Sequence, residues 1–165
     1  MNDDKKICEF KAQIKFLLLE AGYEVTDDVL VTITKGHFVA ELMTYFPEEG
    51  NGCSLCFRIR LREKSLNQLS IIGRIVLVNA LSVNNPAFNI TYHHRGRAIT
   101  LRYYCNLYEP EDVIYQLTKV KECYDDFRKD LKKRLPDFIK QFPCPETQDK
   151  QLVKTLRYLH RWRIE

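Results

Sequence analysis

The sequence lacks a hydrophobic run long enough to cross a bilayer. Its most apolar stretch, Leu69 to Val83, is interrupted by Arg74 and Asn79 and is shorter than the roughly 20 apolar residues that a membrane-spanning helix needs. The N-terminal residues are charged, and no apolar segment of the kind found in secretory leaders follows them. We therefore expect a cytoplasmic protein without membrane insertion.

The sequence also lacks the motifs of the commonest enzyme classes. It has no GxGxxG fingerprint, no P-loop and no GxSxG nucleophile elbow. His37 and His160 are isolated, and no nucleophile–base pair can be assembled around them from the sequence. We therefore expect no enzymatic activity and no cofactor. An active site assembled from residues scattered along the chain is the alternative.

Six cysteines are present, but their pattern does not indicate a metal or redox site. Cys53 and Cys56 form a CxxC pair at the start of a predicted strand, whereas a redox CxxC begins a helix. A zinc site needs further ligands, and no second CxxC or spaced Cys/His pair exists. His93 and His94 are neighbours on a predicted strand and point to opposite sides. We expect free, buried thiols and no metal.

The chain has the size and composition of one globular domain. It has 165 residues, of which 45% are hydrophobic and 29% charged, so it can bury a core. The net charge of +4 is uneven, because residues 147–165 contain five basic and two acidic residues. The rest of the chain is therefore close to neutral, which argues against an extensive nucleic-acid surface.

Apolar periodicity predicts a helix followed by a three-stranded meander. In residues 4–21 the apolar side chains recur at spacings of three and four, and Gly22 is expected to end this helix. Residues 29–34 are rich in β-branched side chains, and a returning strand follows over 37–46. A third strand alternates apolar residues with arginines, which gives the sheet one dry and one wet face. These arginines are Arg58, Arg60 and Arg62.

The second half of the chain predicts two more helices and a hairpin. Ser65 is expected to cap a helix over 65–82 that is apolar on more than one side. Strands over 88–94 and 97–105 form the hairpin. A third helix follows over 110–135. The predicted class is α+β, with the order α-β-β-β-α-β-β-α and a five-stranded antiparallel sheet packed by helices.

We expect the chain to divide near residue 135. Residues 1–135 form the α+β domain, and residues 136–165 form a proline-containing linker and an amphipathic basic helix. This C-terminal extension is expected to dock on its own domain or on a second subunit. Binding to a membrane surface is the alternative.

Two segments carry a resemblance to a known bacterial fold. The first, FLLLEAGYEVTDDVLVTITKGHFVAEL, has a helix, a glycine break, a short strand and a turn. In the second, IVLVNALSVNNPAFNITYHHRGRAITLRYY, a helix with Asn79 and Asn84 leads into a hairpin. With the third helix, over about residues 4–135, they resemble the type III secretion chaperone-like fold and, within it, the YbjN-type family. The resemblance implies a homodimer, in some members one that holds partly unfolded protein segments, and it implies no catalytic residues.

Two surfaces are candidates for function. The first is an apolar dimer or partner surface consisting of Ile72, Ile75, Val76, Leu156, Leu159 and Trp162. The second is an anion contact at Arg58, Arg60 and Arg62. Further residues that could join the second surface are Lys64, Arg74, Arg95, Arg97, Arg102, Tyr92, Tyr103 and Tyr104.

We expect the main function to be chaperone-like or regulatory protein binding by a cytoplasmic homodimer. The two-sided apolar helix and the missing catalytic motifs favour it. Binding of single-stranded nucleic acid through the basic sheet face and the C-terminal tail is the alternative, because such proteins combine basic side chains with aromatic ones.

Overall fold

A computed structural model describes residues 2–27, 31–47, 52–93 and 98–144. Within these ranges the chain forms three α-helices and six strands, with a short 3₁₀ helix, Lys64–Gln68, ahead of the second α-helix. In chain order the elements are α1 (Asn2–Glu20), β1 (Glu24–Asp27), β2 (Val31–Lys35), β3 (Phe38–Tyr45), β4 (Cys53–Leu61), α2 (Ile71–Asn84), β5 (Asn89–His93), β6 (Ala98–Leu107) and α3 (Asp112–Gln141).

The strands form one antiparallel sheet in the order β1-β2-β3-β4-β6-β5. The predicted α+β class and the antiparallel sheet are confirmed, but the predicted number of five strands is wrong. The missed strand is β1, which pairs with β2 from Glu24 opposite Thr34 to Asp27 opposite Val31. Only Val25 is apolar in this four-residue strand, so the sequence has no alternation from which to predict it. One helix and four strands therefore precede α2, instead of one helix and three strands.

All three helices pack on one face of the sheet. Alternate residues of the strands point to this face, as in the row formed by Leu42, Phe57 and Tyr103. They join Leu18 and Phe127 of the helices in one hydrophobic core. Burial of each large side chain contributes about 1.5 to 3 kcal/mol. The remaining alternate residues lie on the opposite face, which we call the open face.

The start of α2 differs from the prediction. Ser65 does not cap the helix; it lies in the 3₁₀ helix, where the Glu63 carboxylate accepts a hydrogen bond from Ser65 N at 3.3 Å. The N-cap of α2 is Ser70, whose Oγ accepts a hydrogen bond from Gly73 N at 3.0 Å. Both serines are suitable caps in the sequence. In the structure Leu69, directly before Ser70, is fully buried, and α2 begins only after it.

Helix α1 ends where the sequence predicts. Gly22 has a φ of 77°, which a residue with a side chain rarely adopts. Tyr23 N donates to Leu18 O and Gly22 N donates to Leu19 O, both at 3.0 Å. This pair of hydrogen bonds is the Schellman motif, so the expected glycine stop is confirmed.

Helix α3 continues through Pro136 to Gln141, so the expected helix end at residue 135 is wrong. A proline inside a helix removes one backbone hydrogen bond. The loss is offset because Leu135 is buried and both Phe138 and Ile139 pack against the core on the next turn. The division of the chain at residue 135 stays a prediction.

The segment after α3 is bound to the start of α2. Ser70 N donates to Phe142 O at 3.0 Å, and Cys144 N donates to Gln68 O at 2.9 Å. Gly73 lies directly beneath this segment: a Cβ atom there would be 2.5 Å from Phe142 Cβ. Close packing at Gly73 therefore joins the C-terminal end of α3 to α2.

Replacement of Gly73 by alanine should destabilise the protein. The added methyl group overlaps Phe142, and overpacking of this kind costs about 1 to 3 kcal/mol. Urea unfolding measures the loss, with Asn84→Ala at the exposed end of α2 as the control, for which we expect a change within about 0.5 kcal/mol. An unchanged stability of Gly73→Ala would contradict the contact between Phe142 and α2.

Candidate functional site

Arg58 and Arg60 of β4 lie on the open face of the sheet, as the sequence predicts, whereas Arg62 follows the end of the strand at Leu61. Arg58 of β4 is directly opposite Glu41 of β3 on one side and Arg102 of β6 on the other. Arg60 is two residues further along β4 and is opposite Thr100. The structure therefore places Arg102, which the sequence suggests as a further residue of this surface, directly beside Arg58.

A pocket of about 260 Å³ lies among these side chains. Small residues of β6, Ala98 and Thr100, are buried there, and Thr100 is only 1% exposed although it lies on the open face. Long side chains of β4, β5 and β6 surround them, so that the short residues lie in a basic depression. The surrounding residues are Arg58, Arg60, Arg62, Arg102 and His93. We call this depression the arginine pocket.

The arginine pocket is strongly cationic. In the described part of the chain no acidic residue lines it. Glu41, beside it, is the partner of Arg58 Nε and lies 3.6 Å from Arg60 Nε. Arg62 makes no ion pair with any described residue. Four guanidinium groups therefore lie near a single carboxylate. The chain outside residues 147–165 is close to neutral overall, but this face has a local excess of positive charge.

The other basic residues considered in the sequence do not all belong to this face. Arg74 is buried in the helix layer, where its Nε donates to Leu66 O at 3.0 Å and its guanidinium lies 5.7 Å from the centre of the Tyr92 ring. Its assignment to an anion surface is therefore wrong. Lys64 lies in the 3₁₀ helix, and Arg95 and Arg97 lie outside the described residues.

Two exposed tyrosines share the open face with the arginine pocket. Tyr104 is 62% exposed and Tyr45 is 57% exposed. Tyr104 is opposite Cys56, a buried residue of the same face. Tyr92 and Tyr103 instead pack against the core on the helix side, so they do not join the arginines. Tyr45 was missed in the sequence, although its alternation with Glu41 along β3 places both on one face.

The outer side of α2 is apolar and exposed. Ile72 is 54% and Val83 is 80% exposed, and Ile75 and Val76 are also exposed. Their positions repeat at helical spacing, so they form one stripe along the helix. Arg74, the charged residue of α2, points into the protein. We call Ile72, Ile75, Val76 and Val83 the α2 stripe; its predicted companions Leu156, Leu159 and Trp162 lie outside the described residues.

The cysteines are buried only in part, because Cys53 and Cys56 are buried, Cys105, Cys123 and Cys144 are half-buried and Cys8 is exposed. The expectation of a buried thiol is therefore wrong for Cys8. All six are free, and Cys53 and Cys56 point to opposite faces of the sheet, with Cys53 opposite Leu107 and Cys56 opposite Tyr104. Burial raises the pKa of Cys53 to about 11 and also raises the pKa of Cys56. Thiols with raised pKa values are poor nucleophiles and poor ligands.

The described residues contain neither a metal cluster nor a membrane-spanning helix. No group of three or more His, Cys, Asp or Glu side chains there could hold a metal ion. None of the described helices is both long and apolar enough to cross a bilayer. Comparison of the chain with protein-family models, curated proteins and solved structures finds no match. The resemblance to the type III secretion chaperone-like fold and the YbjN-type family therefore stays a prediction.

Thiol labelling should separate Cys8 from the buried cysteines. Cys8 is exposed. Cys53 is buried, and its pKa is about 11 instead of 9.0, so near neutral pH it has about 100-fold less thiolate than a thiol with the ordinary pKa. We expect fast labelling of Cys8 and slow labelling of Cys53 and Cys56, with a rate at Cys53 that still rises between about pH 9 and 11. Peptide mapping measures the labelling rate at each cysteine. The control is Cys8→Ser, which should remove the fast phase. Fast labelling of Cys53 in the folded protein would contradict its burial.

Proposed function

We propose that this chain is a non-enzymatic, cytoplasmic protein-binding domain, chaperone-like or regulatory, that acts as a homodimer through the outer side of α2. The observation that carries the proposal is the α2 stripe. Ile72, Ile75, Val76 and Val83 are exposed on one side of a helix whose other side is in the core. A contiguous exposed apolar surface of this kind is typical of a protein interaction site.

The chemistry of the α2 stripe favours a second copy of the chain as its partner. In a twofold dimer the same surface of both subunits forms the interface, so like charges on the two stripes would repel each other. The α2 stripe has no charge, because Arg74 is turned inward. Its polar neighbour Asn79 lies near the middle of the exposed side. A single asparagine in an apolar helical interface can pair with its own copy and set the register.

The size of α2 requires further surface for a stable dimer. Its 14 residues extend over about 21 Å, and a stable interface buries about 800 Å² on each partner, more than one helical stripe provides. Residues 145–165 continue from Cys144, which is hydrogen-bonded beside the start of α2. In this proposal Leu156, Leu159 and Trp162 add apolar area to the same interface.

Free thiols support the cytoplasmic part of the proposal. All six cysteines are unpaired, which is the usual state in a reducing compartment. The raised pKa values of Cys53 and Cys105, both about 11, support a structural role for these thiols over a catalytic one.

Substitution of Ile75 by aspartate should convert the dimer into a monomer. The carboxylate would be buried without a partner at the centre of the interface, which lowers the affinity by several orders of magnitude. Multi-angle light scattering over a range of concentrations measures the mass. The matched control is Phe16→Asp, which places the same charge at an exposed apolar residue of α1 and should leave the dimer intact.

Two outcomes would overturn the proposal. One is a wild-type chain that is monomeric at every concentration and has no bound protein. The other is equal loss of the dimer in Ile75→Asp and Phe16→Asp, because the interface would then not depend on the α2 stripe. Circular dichroism of both variants shows that they remain folded.

A further inference from the structure

We infer that the open face binds single-stranded nucleic acid, with phosphate groups in the arginine pocket and bases stacked on Tyr104 and Tyr45. This site goes beyond the proposed function, because it lies on the face of the sheet opposite the three described helices. Phosphate is the chemistry that recognises clustered guanidinium groups. The spacing of the arginines and their aromatic neighbours indicate that this phosphate belongs to a nucleic-acid backbone.

The arginines are arranged as a row. Alternate residues of a strand are about 6.6 to 6.8 Å apart, and neighbouring strands are about 4.8 Å apart. Arg58 and Arg60 are therefore one such step apart on β4, and Arg102 lies beside Arg58 on β6. Arg62 follows the end of β4 at Leu61 and lines the same pocket, so it continues the row. A row of this length suits successive phosphates of an extended strand better than one compact anion.

Two of the arginines are available to a ligand without loss of a strong internal contact. Arg62 has no ion pair among the described residues. Arg60 is exposed, and its Nε lies 3.6 Å from Glu41 Oε1. Arg58 is held more closely by the same carboxylate, and Arg102 Nη1 donates to Thr91 Oγ1 at 3.3 Å. Phosphate binding by Arg60 and Arg62 therefore costs little, while Arg58 stays oriented by Glu41.

The tyrosines favour a nucleic acid over a free phosphate. Tyr104 is two residues from Arg102 on β6, so its ring lies within about one nucleotide of the pocket. It is opposite buried Cys56 on the neighbouring strand, and the two side chains share a hydrogen bond. Tyr45 extends the aromatic area across β3, where its Oη donates to Met43 Sδ at 3.8 Å. Every base can stack on such rings, which gives affinity without sequence preference.

Single strands fit this surface better than duplexes. In a duplex the base faces are stacked on one another and cannot reach Tyr104 or Tyr45. An open sheet with aromatic and basic side chains is a recurring platform for unpaired bases. We therefore expect single-stranded RNA or DNA to bind more tightly than a duplex of the same length.

Fluorescence anisotropy with the full chain tests the inference. The probes are labelled single strands of about 12 nucleotides, a length within known site sizes, with the matching duplex, a mononucleotide and inorganic polyphosphate as comparisons. We expect salt-sensitive binding of the single strands, and a double variant Arg60→Ala with Arg62→Ala should reduce the salt slope by about 0.7 for each phosphate lost, or about 1.4 in total.

Tyr104→Ala should have a different effect from the arginine variants. Loss of stacking should weaken binding roughly 5- to 150-fold, with the salt slope unchanged. Tyr104→Phe keeps an aromatic ring and should bind like the wild type. Lys133→Ala removes one positive charge from the exposed side of α3 and should change neither quantity. Light scattering on each sample keeps this test separate from dimer formation.

Several results would overturn the inference. One is the absence of binding to single strands at low salt. Another is equal affinity for polyphosphate and no effect of Tyr104→Ala, which would show a general polyanion surface. A third is wild-type binding by the arginine and tyrosine variants together with loss of binding after neutralisation of Lys154 and Arg157, which would place the site in residues 145–165.

Discussion

One-sided packing of the helices against the sheet is the constraint on which the other features depend. Phe127 of α3 and Leu18 of α1 belong to one hydrophobic core with the strand side chains that point to the helix side, among them Phe57 and Ile59. Because side chains alternate along a strand, this burial fixes which residues remain on the open face. Arg58 and Arg60 of β4 lie together on that face for this reason, and a register shift by one residue would turn them toward the core and expose the core residues.

The position of α2 depends on the same packing at a second point. Its inner side is in the core, Arg74 is bound to Leu66 O, and Phe142 closes over Gly73. These contacts hold the inner side of α2 against the core, and its apolar outer side points away from the core. The α2 stripe and the arginine pocket are therefore two separate consequences of one arrangement, on opposite sides of the domain.

The sequence predicts what depends on periodicity and misses what depends on tertiary packing. The alternation of Arg58 and Arg60 with apolar residues, and the glycine stop at Gly22, are local signals, and both are confirmed. The passage of α3 through Pro136 is stabilised by distant core contacts, which local rules cannot include. The arginine pocket exists because Ala98 and Thr100 of β6 lie beside β4, a pairing between segments far apart in the chain.

Hydroxyl-radical footprinting with mass spectrometry tests directly whether the three described helices cover one face of the sheet and leave the other face exposed. Adjacent residues of β6 serve as reporters, since Tyr104 is exposed on the open face and Tyr103 packs against the core. We expect rapid oxidation of Tyr104 and Tyr45 and protection of Tyr103 and Phe57 in the folded protein. Oxidation of Tyr103 as fast as that of Tyr104 would contradict this arrangement.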